Sequence, residues 1–319
     1  MRAIETLVQE PVALAIGWAL IHFVWQGALI GVLAAAALVA LRRSAADVRY
    51  VVAAIALALM ATMPLVTAVQ TWRTVSPRTV PGSRAATATP DDALMRAVPA
   101  PAVASAMPSD GAPVSPVSWR IVRPAGIEPW LPVFVLAWLS GVVVLTLRLL
   151  GGWLWVQRMK SHGANAVARE LQVIVERLSK QLHISRRVRL LQSSGVDVPT
   201  VIGWAKPVIL MPVTALAGLS LSQVEAILAH ELAHIRRHDY LVNLLQTLLE
   251  TMLFYHPAVW WVSRRIRAER EHCCDDLAVS LCGDPVAYAR ALADLEGRRA
   301  APVHLALAAN GGALLQRVR

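Results

Sequence analysis

Three long runs almost free of formal charge constrain this chain more than any other feature. Pro11 to Leu41 is 31 residues without a charged side chain, Val51 to Trp72 is a second uncharged run, and Pro129 to Gln157 is broken only by Arg148. In hydrocarbon every backbone N–H and C=O must find its partner within its own segment, and about 20 helical residues cross a bilayer. Each run therefore predicts a membrane-spanning helix, at about 11–41, 51–72 and 129–157. Composition agrees: the chain is 56% hydrophobic and only 16% charged, too apolar for an ordinary soluble protein. The first run is not a signal peptide, because Glu5 and Glu10 precede it and its apolar stretch is about twice the usual length.

Arg42, Arg43 and Arg49 sit between the first two runs, and Arg158 and Lys160 follow the third. Basic residues favour the cytoplasmic side, which places the N-terminus outside and everything after Gln157 in the cytoplasm of a multi-pass inner-membrane protein. The net charge of +10 then belongs to a basic inner surface facing anionic lipid. No nucleic-acid-binding motif accompanies it, so direct nucleic-acid binding is not expected. Residues 74–128 hold nine of the chain's 19 prolines among Ala, Ser and Thr, the composition of a flexible extracytoplasmic loop, either a plain linker or a sensing segment. His22, Trp25 and Gln26 lie on nearly one helix face and read as a polar patch turned toward a neighbouring helix or as a headgroup-level anchor, rather than as ligands.

Residues 158–300 read as a compact α+β domain. A helix is expected from about Ala166 to Leu182, then a strand at Val188 to Gln192 and a hairpin over Thr200 to Met211 with turn signals at Gly203-Trp204 and Lys206-Pro207. Val208 to Met211 is the candidate edge strand for pairing with an extended peptide. Leu241, Leu244, Leu245, Leu248, Leu249 and Met252 recur at helical spacing with polar residues between, predicting an amphipathic helix rather than a fourth span. The aromatic residues around His256-Pro257 fit either the membrane interface or a core. Cys273, Cys274 and Cys282 are too crowded for a disulfide framework or a cysteine zinc site and read as reduced, buried thiols. A tail at 301–319 contains Leu305 to Leu315, too short to span.

The chemistry concentrates in Ser220 to Asp239, SLSQVEAILAHELAHIRRHD. Ser222 with Glu225 reads as a capping box that starts a helix. His230 and His234, four apart, share a face of that helix and can hold one metal ion, with Glu231 placed to take a proton from a water activated there. A catalytic zinc site needs a third protein ligand. On the helix that contains Arg264 to Cys282, Glu271 and Asp275 share a face, so that one can bind the metal while the other accepts the far N–H of a ligand histidine. Glu269 points about 200 degrees away from Glu271 and is the weaker candidate. Tyr255, His256 and Arg264 are open alternatives for stabilising an oxyanion.

H-E-x-x-H followed by E-x-x-C-D resembles the bacterial antirepressor peptidases of the BlaR and MecR type, which transduce β-lactam sensing, and more distantly the CAAX prenyl proteases and HtpX. The resemblance extends to W-x-L-x-H-x-x-W-Q at Trp18 to Gln26 and to F-Y-H-P-A-V-W-W before the acidic helix. It implies an α-helical membrane protein carrying a cytoplasmic α+β zincin domain of gluzincin type. It implies one Zn2+ held by His230, His234 and Glu271, with Glu231 as general base, Asp275 behind a ligand and Asp239 orienting the helix or a ligand. The implied partner, besides the lipid bilayer, is a protein substrate such as a cytosolic transcriptional repressor. The alternative is a non-catalytic membrane signalling scaffold with a structural zinc. Family members continue into a fourth membrane helix and an extracellular penicillin-binding domain. This chain ends at Arg319 with no Ser-x-x-Lys element after such a helix, so it is expected either to be truncated or to sense something else.

Overall fold

The computed structural model describes residues 11–75, 126–161, 164–196 and 198–297. Most of the proline-rich loop and the tail at 301–319 lie outside these described residues. Among the described residues three helices are long and apolar enough to cross a membrane: α1 (Pro11–Ala40), α2 (Ala46–Val75) and α3 (Leu131–Ser161). The second begins before the uncharged run expected at Val51, because Asp47 occupies its first turn, where a carboxylate suits the helix dipole. The polar patch of α1 meets a neighbour as expected, with the Gln26 amide donating to Thr67 Oγ1 on α2 at 3.3 Å.

The remaining elements are β1 (Ala164–Ala166), α4 (Arg169–Gln181), β2 (Arg189–Ser193), β3 (Thr200–Ile202), β4 (Val208–Pro212), α5 (Val213–Gly218), α6 (Leu221–Arg237), α7 (Asp239–Met252), α8 (Pro257–Cys282) and α9 (Pro285–Gly297). The strands form one sheet in the order β1-β2-β4-β3. β2 runs parallel to β4 with Leu190 opposite Ile209, while β3 is antiparallel to β4. Val208 to Met211 is therefore not an edge. Both of its sides are taken, by β2 and β3, and the edge nearest α6 is Thr200 to Ile202. The hairpin was legible from its turn residues; the parallel partner, contributed from the other side of an intervening loop, left no local signal.

Val175 and Leu178 of α4, Ile209 and Met211 of β4, and Ile227, Leu228 and Leu232 of α6 form one buried core. Burying each large aliphatic side chain contributes at most about 1.5–3 kcal/mol. A second core joins Phe23 of α1 and Leu57 and Met60 of α2 to Val259, Val262 and Ile266 of α8. α8 thus packs on the long apolar helices at one end and on the sheet-bearing core at the other. Where its first turn crosses α1, Gly27 leaves room for His256: a Cβ there would lie 2.7 Å from Nε2 of that ring.

Helix α6 starts earlier than expected. Its N-cap is Ser220, whose hydroxyl accepts from the Gln223 N–H while the Gln223 side chain accepts from the Ser220 N–H, a capping box two residues ahead of Ser222 and Glu225. With Ser220 as cap, Leu219 and Val224 stand at the two staple positions and both belong to the core. A cap at Ser222 would give the first staple position to Leu221, which is 59% exposed.

Candidate metal centre

Helix α6 stacks His230 over His234 and buries it against the core, so that the two Nε2 atoms come within 3.2 Å. The helix closes at His238, whose left-handed backbone (φ 59°) turns the chain so that Asp239, the first residue of α7, folds back under His234. From the other side α8 brings Glu271, whose Oε2 lies 3.6 Å from His230 Nε2 and 3.9 Å from His234 Nε2. Three ligands about 2.0–2.1 Å from one tetrahedral ion stand roughly 3.4 Å apart, so this donor set fits a zinc-sized cation with little adjustment. Glu231 is buried and lines the same cleft as the three donors. Glu269 does not: it is 1% exposed and paired with Arg49 of α2 and Arg265, each at 2.8 Å.

Both histidines are held from behind. The Nδ1–H of His234 donates to Asp239 Oδ2 at 2.7 Å. His230 Nδ1 lies 3.2 Å from Asp275 Oδ1 and 3.0 Å from the Tyr288 hydroxyl, which itself donates to Asp275 Oδ1 at 2.6 Å. These contacts engage each Nδ1 and turn both Nε2 atoms to the point they share with Glu271, the arrangement that raises ligand basicity and fixes the tautomer. Burial works against a charged His230 ring, but hydrogen bonds to Asp275 and Glu271 outweigh it and carry its pKa to about 9, so a metal must displace a proton there.

Tyr288 was not foreseen from the sequence. It lies on α9, beyond the Gly283 turn, and only the packing of α9 on α6 brings it to the histidine. Tyr288→Phe should weaken metal affinity by about tenfold, the low end of what loss of such a partner costs. Competition with a chromogenic chelator measures this; an unchanged affinity would make the hydroxyl a packing feature only.

His234, Asp239 and Cys274 form a second group of donors close enough for an ion. Burial, with the Asp239 and Glu271 carboxylates, pushes the Cys274 thiol far above the usual thiol range, so it is a neutral S–H that donates to Asp239 Oδ2 at 3.4 Å. Asp239 in this group is also the hydrogen-bond partner of His234 Nδ1, at 2.7 Å. Cys273 is buried as expected, whereas Cys282 is exposed at the end of α8.

The centre floors a cleft of about 350 Å3 walled by Pro199, Thr200 and Val201 at the β3 edge, by Tyr240 and Asn243 of α7, and by Arg270. Arg186 stands at its rim, stacked 5.0 Å from the Trp204 ring. None of the expected oxyanion candidates reaches it. The Tyr255 hydroxyl donates to the Leu20 carbonyl and His256 Nε2–H to the Val24 carbonyl, both on α1, and Arg264 does not line the cleft. The preceding loop is too far along α8 from Glu271 for its side chains to turn back.

A family model described as BlaR1 peptidase M56 matches residues 22–319. Among curated proteins, the chain is similar to the regulatory protein BlaR1 of Bacillus licheniformis, 28% identical over 142 residues, which is 44% of this chain and 24% of that protein. It is also similar to the methicillin resistance mecR1 protein of Staphylococcus aureus, 24% identical over 147 residues, covering 45% of this chain and 24% of that protein. The matched stretch is thus about a quarter of the length of these relatives. With three apolar helices, an H-E-x-x-H helix and a carboxylate facing it across the cleft, and a family match over nearly its whole length, the chain belongs to the BlaR1 peptidase M56 family of metallopeptidases.

Proposed function

We propose that this protein is a membrane-integrated, zinc-dependent endopeptidase that works at the cytoplasmic face in signal transduction, cleaving a protein such as a transcriptional repressor or a membrane protein. The observation that carries the reading is the convergence of His230, His234 and Glu271, with ligand atoms all within 4.8 Å of one another, beside the buried Glu231. A zinc ion there would supply an activated water and polarise a carbonyl. The chain's own residues do the rest. Glu231 takes the proton from the attacking water and returns it to the leaving amine. Asp239 and Asp275, the latter with Tyr288, hold the two imidazoles in the ligating tautomer. The free edge of β3 offers backbone groups to an extended substrate segment along the cleft wall.

The names of the relatives, a regulatory protein and a methicillin resistance protein, support a regulatory role here. The test is comparative proteomics of cells carrying the wild type or Glu231→Ala. A protein fragment present only with the wild type identifies the substrate. Identical fragment profiles, with signalling intact in the variant, would instead favour a scaffold whose metal is structural.

A further inference from the structure

Helix α7 is built inside out. Leu241, Leu244, Leu245 and Leu248 are 37%, 58%, 56% and 53% exposed, while Gln246 and Glu250 on the opposite face are 1% and 9% exposed. The buried polar side chains meet α8: the Gln246 amide donates to the Ser263 carbonyl and hydroxyl at 3.1 and 2.9 Å, and Arg267 donates to Glu250 Oε1 at 2.6 Å. A surface helix in water turns its leucines in and its Glu and Gln out. Hydrocarbon reverses the preference, because polar groups there must pair within the protein.

The position of the helix points the same way. Glu269 of α8 is paired with Arg49 at the start of α2, whereas Ala258 of α8 and Met60 of α2 both lie against Gly31 of α1 and share one core. Both helices therefore advance eleven residues between the same two levels, about 16 Å at 1.5 Å per residue. That is roughly half of a 30 Å hydrocarbon core. The turn between α7 and α8 is fastened at this depth. Trp138 of α3 donates its indole N–H to the Met252 carbonyl at 2.8 Å, and Tyr255 and His256 bind the α1 carbonyls of Leu20 and Val24 at 3.1 and 2.9 Å. Beside α7, the outer face of α3 shows Val143, Val144 and Leu147, 49%, 64% and 63% exposed, so the leucine face continues an apolar surface already assigned to the bilayer.

We propose that α7 and the first half of α8 form a re-entrant hairpin in the inner leaflet, with Leu241, Leu244, Leu245 and Leu248 lying against phospholipid acyl chains. The proposal rests on α1–α3 crossing the membrane. It makes the peptidase and the membrane helices one body: α7 carries Asp239 at the metal centre and α8 carries Glu271, and both helices are rooted in the bilayer. The pairing of the buried Glu250 with the half-buried Arg267 and with the Ser263 hydroxyl is the internal satisfaction that such a hairpin requires.

The test incorporates a benzophenone amino acid separately at Leu244, Leu245 and Leu248 of the full chain. The protein is reconstituted in phosphatidylethanolamine and phosphatidylglycerol vesicles, irradiated and analysed by mass spectrometry. Val144 on α3 serves as the lipid-facing reference and Trp204 in the cleft as the water-facing one. Phospholipid adducts at the three leucines, in yields comparable to Val144 and above Trp204, support the hairpin. Adducts with a second copy or another protein, or the absence of lipid adducts at the leucines while Val144 captures lipid, overturn it. Loss of lipid capture at Val144 as well overturns the span assignment and the hairpin with it.

Discussion

Glu231→Gln should lower kcat by about 10^2 to 10^4, the range a positioned general base contributes, and leave metal binding intact. The side chain is buried in the cleft beside the donors without being one of the three whose atoms converge, so its amide isostere preserves packing and metal but removes the proton acceptor. Glu271→Ala behaves differently. It removes a carboxylate 3.6 and 3.9 Å from the histidine nitrogens, leaves two histidines that cannot complete a zinc site, and should take metal and activity together. The two variants separate the roles when bound zinc and peptide turnover are measured on the same preparations. Metal lost with Glu231→Gln, or metal and activity retained with Glu271→Ala, would contradict the assignment.

A second large effect is expected far from the cleft. Arg49→Met should destabilise the fold by about 3 kcal/mol, because removing one partner of a buried ion pair strands the other. Glu269 is 1% exposed and Arg49 grips its Oε2 through Nε and Nη2, both at 2.8 Å. Arg265 remains as a partner, which sets the effect at the low end of the usual range. The double variant Arg49→Met, Glu269→Met should recover more than half of the loss, since it leaves only Arg265, which is 41% exposed and readily solvated. Unfolding in mixed micelles reads both values. An equal loss in the double variant would show that packing, and not the stranded charge, sets the cost. Glu269 stands two residues before Glu271 on α8, so the single variant should also weaken zinc binding, and the double should restore it in proportion.

Much of this was legible because its signals are local. Charge-free runs of spanning length located α1, α2 and α3, since hydrocarbon leaves a segment no partner but itself. The four-residue spacing of His230 and His234 fixed a shared face, as did that of Glu271 and Asp275. Turn residues announced the β3–β4 hairpin. The misreadings were those in which two local signals competed or the deciding partner was remote. Ser220-x-x-Gln223 and Ser222-x-x-Glu225 are equally good caps in sequence, and the core chose between them through Leu219 and Val224. Val208 to Met211 looked like an edge because nothing nearby announced β2 as its parallel neighbour. The aromatic residues near His256 were offered as oxyanion donors, but the backbone carbonyls of α1, more than 230 positions earlier, hold them elsewhere.

The sequence by itself determined that three segments can cross a membrane, that a metal-binding helix follows them and that an acidic helix can complete its donor set, because periodicity and charge are properties of a segment. Only the tertiary structure decided that Tyr288 lies beside His230, that Glu269 is paired with Arg49, and that α7 faces outward with its leucines. Each of these depends on which surfaces meet across long stretches of chain, and helical spacing, which orders side chains around one axis, holds no information about what lies against them.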